Sequence, residues 1–214
     1  MTQSNESLKR VDHLIFGAAS LDAGIQAIEE ILGVRPGPGG RHPAFGTCNA
    51  LLSLGPETYL EVIAPDPGLP APEQGRLFDL GSLETPRLVT WVLRTYDIDD
   101  DVARAASGGV TLGAVDEGSR TNPDGSVLRW RLTDPYVYPL DGAAPFLLDW
   151  GNAPHPGGSA PPAGSITGLR FETPNAAAVR SMLKALDLGF GVDDGAEFQL
   201  AATLETARGP VVLR

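Results

Sequence analysis

Two apolar, strand-like segments of the chain each carry one side chain that could bind a metal ion or move a proton. His13 lies within RVDHLIFGAA, and Glu61 lies within TYLEVIAP. Side chains alternate between the two faces of a β-strand, so each group shares a face with its second neighbours. The faces that we expect to point inward are Val11-His13-Ile15 and Tyr59-Glu61-Ile63. An imidazole and a carboxylate facing one interior suggest a metal or ligand site, although they could instead hydrogen-bond each other or the backbone.

The overall composition restricts the partners that the chain could have. Its 214 residues carry a formal net charge of −11, which argues against binding to nucleic acid or to anionic membrane surfaces. Cys48 is the one cysteine of the sequence, so no disulfide can form within the chain. The polar beginning MTQSNESLKR does not look like a secretory signal, and no apolar run approaches the ~20 residues of a membrane helix. We therefore expect a cytoplasmic protein whose partner is a small molecule.

A repeat of nearly constant length must position these groups. Three segments have the apolar spacing of amphipathic helices, and their predicted N-caps, Ser20, Asp97 and Asn175, lie 77 and 78 residues apart (97 − 20 and 175 − 97). Gly33 and Gly189 are the predicted ends of the first and third helices. Each helix follows one apolar strand and precedes further strands. The repeating unit is therefore predicted to be β-α-β-β-β.

The predicted units occupy three stretches of the chain. They are residues 10–65, 87–151 and 166–214, of which the last is incomplete. Linkers rich in Pro and Gly, at 65–75 and 151–165, separate them. Within the units, GPGG at 37–40 is interpreted as a turn and GVTLGAV at 109–115 as a strand.

With these units in place, the chain resembles the glyoxalase-like branch of the vicinal oxygen chelate superfamily, which also contains bleomycin resistance proteins and dioxygenases. The strings that carry the resemblance are DHL, YLEVIAPDP, GRHPAFGTCNALLSLG, RTNPDGSVLRWRL and PFLLDWGNAPHPG. The resemblance implies that two units curl into one open barrel around a small-molecule cavity. The expected fold class is thus α+β, with tandem β-α-β-β-β units forming a cup-like barrel, helices outside and a third, truncated unit. That third unit would cover a sheet face or make the contact of a homodimer.

The resemblance also implies a divalent metal held by the first and fourth strands of each unit. Carried over by position, its ligands are His13, Glu61 and Asp149. The fourth ligand should stand one repeat after His13, but that position is Thr90, a poor metal ligand. One imidazole nitrogen and two carboxylate oxygens would suit Zn, Mn, Fe, Co or Ni.

Other side chains are candidates for contact with a substrate. They are His42, Phe45, Asn49, Arg120, Trp130 and Trp150. The resemblance places His42 at the cavity mouth, where it could act as an acid, a base or a hydrogen-bond donor, unless it is a solvated loop residue. Trp130 could stack on a ligand, although such a tryptophan more often belongs to a core. Arg120 could bind a substrate carboxylate bidentately or form a surface salt bridge instead.

Two functions remain open on this basis. A metal-dependent lyase, isomerase or dioxygenase would hold two vicinal oxygens of its substrate on the metal, while Glu61 or His42 moves a proton. A metal-free protein would instead bind a small apolar or aromatic molecule, as the drug-sequestering members of the superfamily do. The set of His13, Glu61 and Asp149 favours the first function, and Thr90 favours the second.

Overall fold

The computed structural model describes residues 5–121, 125 and 127–214, with four α-helices, three short 3₁₀-helices and twelve strands over these residues. The α-helices are Asn5–Lys9 (α1), Leu21–Leu32 (α2), Ile98–Ser107 (α3) and Ala176–Ala185 (α4). The first eight strands are Val11–Gly17 (β1), Gly37–His42 (β2), Thr47–Ser53 (β3), Tyr59–Pro65 (β4), Arg87–Arg94 (β5), Val115–Thr121 (β6), Val127–Thr133 (β7) and Phe146–Asp149 (β8). The last four are Ser165–Thr173 (β9), Gly191–Asp194 (β10), Gln199–Thr206 (β11) and Gly209–Leu213 (β12). None of the helices in this part of the chain is long and apolar enough to cross a membrane.

Strands β1 to β8 form one curled sheet in the order β1-β4-β3-β2-β6-β7-β8-β5. β1 pairs in parallel with β4 and antiparallel with β5, and β5 pairs in parallel with β8. The two halves of the sheet are therefore joined along the β1–β5 seam, where Leu14 lies opposite Trp91. On the far side, the described strands meet through one residue pair, Arg41 of β2 with Thr121 of β6. The predicted α+β fold of curled, paired units is confirmed, and this single pair closes the cup into a barrel.

Both faces of the central strands are buried, which explains their long apolar runs. Outward-facing residues such as Leu14, Leu60 and Val62 pack in a core that includes Ile28 of α2. Inward-facing residues belong to a second apolar cluster inside the barrel, which includes Ile15. Alternation along each strand thus separates a structural outer core from an inner surface that can form a cavity.

Helix α2 begins and ends where the sequence predicts. The Ser20 side chain accepts a hydrogen bond from the Ala23 backbone N–H, and Gly33 ends the helix with a left-handed φ of 73°. The helix lies so close to β4 that a Cβ at Gly24 would stand 2.6 Å from Val62 Cγ1. A side chain at position 24 would therefore push α2 away from the sheet.

The other predicted helix ends are correct only in part. Asp97 caps α3, accepting a hydrogen bond from the Asp100 backbone N–H. Asn175 precedes α4, but its side chain makes no capping bond and instead donates to Asp141 Oδ2 at 3.3 Å. Helix α4 stops at Ala185, before the predicted end at Gly189, because the chain turns at Leu186.

Two of the interpretations of Gly-containing segments were wrong. GPGG at 37–40 is not a turn but part of β2, where a register shift between Pro38 and Arg41 accommodates the proline. Residues 109–114 do not form a strand, although Val110 and Leu112 are buried. The strand lies at Val115–Thr121 and pairs with β7, as the hairpin-like pattern SRTNPDGSVLRWRLTD predicts, whereas its polar start VDEG gives no apolar strand pattern.

The region after the barrel forms a smaller sheet in the order β10-β9-β11-β12. Its short strand β10 was not indicated by the sequence pattern. Phe171 and Phe190 pack against Trp91 of the barrel, with ring centroids 5.6 and 5.5 Å away. The preceding linker is held against β3 by backbone bonds at Ser53, which donates to Pro161 and accepts from Ala163. The small sheet thereby extends the outer core and leaves the barrel interior free.

Candidate functional site in the barrel interior

The barrel interior contains a narrow cavity of about 50 Å³ that opens to the surface. Its polar lining residues are His13, His42, Asn49, Tyr59 and Glu61. Its apolar lining residues are Ile15, Phe45, Ile63, Leu77, Phe78, Trp130, Leu132, Pro135, Phe146, Leu148 and Trp150. The imidazole, amide and carboxylate groups of this lining all come from β1 to β4, whereas β7 and β8 supply only apolar and aromatic side chains.

His13 and Glu61 lie beside each other in this cavity. In the parallel pairing of β1 with β4, His13 lies opposite Tyr59 and Ile15 lies opposite Glu61. The Tyr59 and His13 rings are stacked, with 4.3 Å between their centroids. His13 Nε2 is 3.5 Å from Glu61 Oε2, which is an ion-pair distance rather than that of a short hydrogen bond. The contact that the sequence left open, between imidazole and carboxylate, is therefore present.

The inward faces match the alternation rule except at one position. The predicted inward face of β4 lines the cavity in full, and His13 and Ile15 of β1 line it too. Val11 does not, because it packs with Leu14 and Phe16 in the outer core. The pairing of β1 with β5 shifts register between Val11 and His13, as it does at a β-bulge.

The buried carboxylate of Asp12 holds His13 in position. Asp12 Oδ1 lies 2.7 Å from His13 Nδ1. Its Oδ2 accepts hydrogen bonds from Trp150 Nε1 at 2.9 Å and Arg94 Nε at 3.2 Å, and lies 3.3 Å from His155 Nε2. Burial raises the pKa of this carboxyl, but the hydrogen bonds and charges of His13 and His155 outweigh burial and hold the pKa well below its usual range. Asp12 is thus an anion at neutral pH that fixes the His13 ring and leaves Nε2 on the side of Glu61.

The Glu61 carboxylate is ionised although it is almost fully buried. Its Oε1 accepts a hydrogen bond from Asn49 Nδ2 at 2.5 Å. Burial raises its pKa, but the hydrogen bond and charge of His13, with smaller effects of His42 and Asn49, lower the pKa to about 2. Burial likewise lowers the pKa of His13, but Asp12 and Glu61 outweigh burial and raise it above the usual value. The pair therefore favours an imidazolium beside a carboxylate.

His42 lies near this pair, on the wall between the polar and aromatic sides. Its Nδ1 is 3.0 Å from Thr47 Oγ1, and its ring meets the edge of Trp130 at 6.4 Å. The side chain is buried and lines the cavity, so it is not a solvated loop residue. Asn49 lies on the neighbouring strand and contacts Glu61 directly.

The opposite wall is aromatic. Trp130 and Trp150 pack together with 5.3 Å between ring centroids, and Phe78 and Phe146 are nearly parallel at 6.4 Å. The Trp130 indole lies over Gly118 of β6, where a Cβ would come 2.2 Å from Nε1, so that position must be glycine for the ring to fit. Phe78 has a left-handed φ of 52°, which is rare for an aromatic residue and places its ring over the cavity.

The second half of the barrel does not repeat the polar side chains of the first. Ile15 lies opposite Glu61 across β1–β4, and Val92, one repeat after Ile15, lies opposite Phe146 across β5–β8. Phe146 therefore occupies the position that matches Glu61. The match to His13 is Thr90, whose Oγ1 donates to the Gly142 carbonyl at 3.2 Å.

Asp149, the predicted third metal ligand, is not part of the cavity lining. Its Oδ1 accepts a hydrogen bond from the Gly151 backbone N–H at 2.8 Å, in the turn after β8. Phe146, Leu148 and Trp150 line the cavity, so alternation turns Asp149 to the other face of the strand. The prediction chose the acidic residue at the end of β8, whereas the strand register assigns the equivalent position to Phe146.

The superfamily implies a divalent metal, and the residues present do not fit one. Both ring nitrogens of His13 face carboxylates, Nδ1 that of Asp12 and Nε2 that of Glu61. Glu61 is further held by Asn49, and Asp149 points elsewhere. Within residues 5–121, 125 and 127–214, no group of three or more His, Cys, Asp or Glu side chains could hold a metal ion. The positive charge beside Glu61 is supplied by the imidazolium of His13.

Several members of the site escaped the sequence analysis. The bulge that brings Asp12 to His13 and Arg94 leaves no signal in an apolar pattern, and neither does the left-handed backbone of Phe78. The sequence does offer His155 as a substitute metal ligand or a loop histidine, and its Nε2 lies 3.3 Å from Asp12 Oδ2. The alignment of the repeats could have identified Phe146. The Arg120 side chain, a candidate substrate contact, lies outside the described side chains.

Comparison with known proteins agrees with this architecture. A sequence model described as a glyoxalase-like domain matches residues 11–186. No curated protein sequence matches the chain. The crystal structure of a hypothetical protein from Staphylococcus aureus has a TM-score of 0.65 at 17% identity, over 94% of this chain and 96% of that chain. A methylmalonyl-CoA epimerase in complex with methylmalonyl-CoA and NH4+ has a TM-score of 0.48 at 21% identity, over 70% of this chain and 100% of that chain. The likeness to the Staphylococcus aureus protein, at 17% identity, concerns the fold alone.

Proposed function

We propose that this chain, which belongs to the family of glyoxalase-like domains, binds a small organic molecule in its barrel without a metal ion. Support comes above all from the unequal walls of the cavity. Glu61 is the one carboxylate among the described lining residues, and the lining that it shares is otherwise mostly apolar and aromatic. A small cavity that is mostly apolar, with a few convergent polar groups, is typical of a ligand site.

The Glu61 carboxylate retains room for a ligand. A carboxylate offers about four acceptor positions, and the protein contacts described for Glu61 are those from Asn49 and His13. Its remaining acceptor capacity borders the cavity. Asn49, His13 and, behind His13, Asp12 would hold the carboxylate in one orientation, so a ligand would meet a preorganised group.

The experiment combines metal analysis with ligand binding. Protein purified from medium supplemented with Zn, Mn, Fe, Co and Ni is analysed for bound metal, and small molecules are screened by the fluorescence of Trp130 and Trp150. We expect less than about a tenth of an equivalent of metal, since metal held by an incomplete ligand set dissociates during purification, and we expect ligands whose binding weakens in Glu61→Gln. Asp149→Asn is the matched control, because it removes a carboxylate that does not line the cavity. One equivalent of metal in the wild type that Glu61→Gln loses would overturn the proposal.

A second candidate function is proton transfer without a metal, as in a lyase or isomerase. The observation that favours it is the buried chain from Asp12 through His13 to Glu61. In such a chain the aspartate orients the imidazole, which exchanges protons with the cavity side, while His42, which also lines the cavity, would serve as a second acid or base. Asp12→Asn separates this function from binding alone, because it should lower turnover of a bound compound while leaving its dissociation constant within about threefold.

A further inference from the structure

We infer that the ligand of this cavity is an organic cation, a protonated or quaternary amine attached to a flat apolar body. The inference rests on the proposed function and specifies the class of ligand. It comes from one juxtaposition, in which the buried carboxylate of Glu61 shares a small cavity with the rings of Phe78, Trp130, Phe146 and Trp150.

The charges around the cavity favour a cation, because the one imidazolium of His13 lies between two carboxylates, those of Asp12 and Glu61. Glu61 is its one acidic side chain, and no Lys or Arg side chain that the structure describes lines the cavity. Arg94 lies behind the wall, where its guanidinium is bound by Asp12 at 3.2 Å and by Glu57 at 3.1 Å. Its charge is therefore offset locally and does not neutralise Glu61. The net charge of −11 on the whole chain adds a long-range attraction for cations.

His13 is the cation that could pair with the Glu61 carboxylate when no ligand is bound. Its distance from Glu61 is too long for a strong hydrogen bond. Its Nε2 is 3.5 Å from Glu61 Oε2, whereas the Asn49 amide approaches Oε1 to 2.5 Å. The shorter and stronger contact of His13 is with Asp12, at 2.7 Å from Nδ1. An ammonium group entering from the cavity can add its own charge-assisted contact to Oε2 without displacing either neighbour.

The aromatic wall suits the rest of such a ligand. The faces of aromatic rings carry partial negative charge and attract cations, and Trp attracts them most strongly. Trp130 and Trp150 meet at 5.3 Å in this wall, and Trp150 is fixed in place by its bond to Asp12. Phe78 and Phe146 continue the wall with nearly parallel rings. A quaternary ammonium group needs no hydrogen-bond acceptor of its own, so a carboxylate with aromatic rings is a sufficient site for it.

The test uses three compounds with the same phenylalkyl body. They are trimethyl(2-phenylethyl)ammonium, 3-phenylpropan-1-ol and 3-phenylpropanoate, which are cationic, neutral and anionic. Binding is measured by isothermal titration calorimetry with the full chain, at up to about 10 mM ligand. We expect the cation to bind about tenfold more tightly than the alcohol, and the anion to bind more weakly than both. Glu61→Gln should remove the preference for the cation over the alcohol, because it removes the negative charge. The affinity for the alcohol should stay within about twofold, since a glutamine side chain has nearly the same shape as a glutamate side chain.

Asp149→Asn changes the net charge of the chain by the same amount as Glu61→Gln, so it controls for long-range attraction. It should keep the preference for the cation. Equal binding of cation and alcohol to the wild type would overturn the inference while leaving the proposed cavity function intact. Tightest binding of the anion would also overturn it and would point to a cationic side chain such as Arg120. Failure of all three compounds to bind would count against the inference, whereas the proposed function fails separately, on the metal analysis.

Discussion

The two halves of the barrel share one backbone plan and differ in their chemistry. In the first half, β1 and β4 present His13 and Glu61 to the cavity. In the second half, β5 and β8 hold Thr90 and Phe146 at the matching positions. A site built equally from both halves would have four polar side chains in the barrel interior. The site of this chain instead has one carboxylate–imidazolium pair beside aromatic rings. The repeat therefore preserves the backbone around the cavity. The first half contributes the charged side chains of the lining, and the second half contributes apolar and aromatic side chains that determine its shape.

The largest expected change in stability comes from removing the Asp12 carboxylate behind the polar half of the barrel. Asp12→Ala removes a fully buried carboxylate that Arg94, His13 and the Trp150 N–H share. Arg94 keeps its contact with Glu57 and His13 keeps Glu61, but the buried charges lose the anion between them. We expect the free energy of unfolding to fall by about 3–5 kcal/mol, as when one member of a buried ion pair is removed. Urea denaturation measures it. Asp149→Ala is the control, and an equal loss in both variants would contradict the role given to Asp12.

The aromatic half should tolerate substitution better and act through shape. Phe146→Ala should lower the free energy of unfolding by about 2–3 kcal/mol, below the value for a full core phenylalanine because one side of its ring borders the cavity. It should also weaken binding of cationic and neutral ligands alike. Ile28→Ala, in the outer core, should cost about 2–4 kcal/mol and leave ligand binding unchanged. Ligand binding that is insensitive to Phe146→Ala would show that this wall does not contact the ligand.

The dependence of stability on pH should also depend on the first half, because Glu61 lies there. The pKa of Glu61 is lowered from 4.5 to about 2 in the folded protein. A carboxyl with a lowered folded pKa stabilises the native state above its unfolded pKa, and that stability is lost as the pH falls through the folded pKa. Stability should therefore decline between about pH 4.5 and 2, with Asp12 acting in the same direction. Chemical denaturation at several pH values should give a flatter acid limb for Glu61→Gln than for Asp149→Asn, and identical limbs would refute the assignment.

The smallest effect is expected for the acid that faces away. Asp149 bonds one backbone N–H in an exposed turn. Asp149→Asn should change the free energy of unfolding by no more than about 0.5 kcal/mol and leave ligand binding as it is. A loss of binding in this variant, measured by the fluorescence of Trp130 and Trp150, would show that the orientation of β8 has been assigned wrongly.

The parts of the molecule that follow from local rules could be predicted from the sequence. Ser20, Gly33 and Asp97 cap helices as expected, and alternation along β4 turns Glu61 toward the interior. The parts that depend on strand register could not. The bulge before His13 and the outward turn of Asp149 are both set by pairing with strands far away in sequence.

No sequence motif predicts that Asp12 is the hydrogen-bond partner of His13. Alternation along β1 predicts that Asp12 faces away from the cavity, and its link to Arg94, Trp150 and His155 joins segments more than 80 residues apart. Only the closed barrel brings these side chains together. The unequal chemistry of the halves was visible in the sequence at Thr90, but its counterpart Phe146 required the register of β5 with β8.

The most direct test of the unequal halves is a calorimetric titration with Zn²⁺ of the wild type and of Glu61→Gln. A zinc ligand set built from both halves would need an imidazole and a carboxylate where the second half has Thr90 and Phe146, and both ring nitrogens of His13 already face carboxylates. We predict no stoichiometric binding of Zn²⁺ to either protein, with folding checked by circular dichroism. One Zn²⁺ bound by the wild type and lost in Glu61→Gln would contradict the claim that this barrel binds its ligand without a metal.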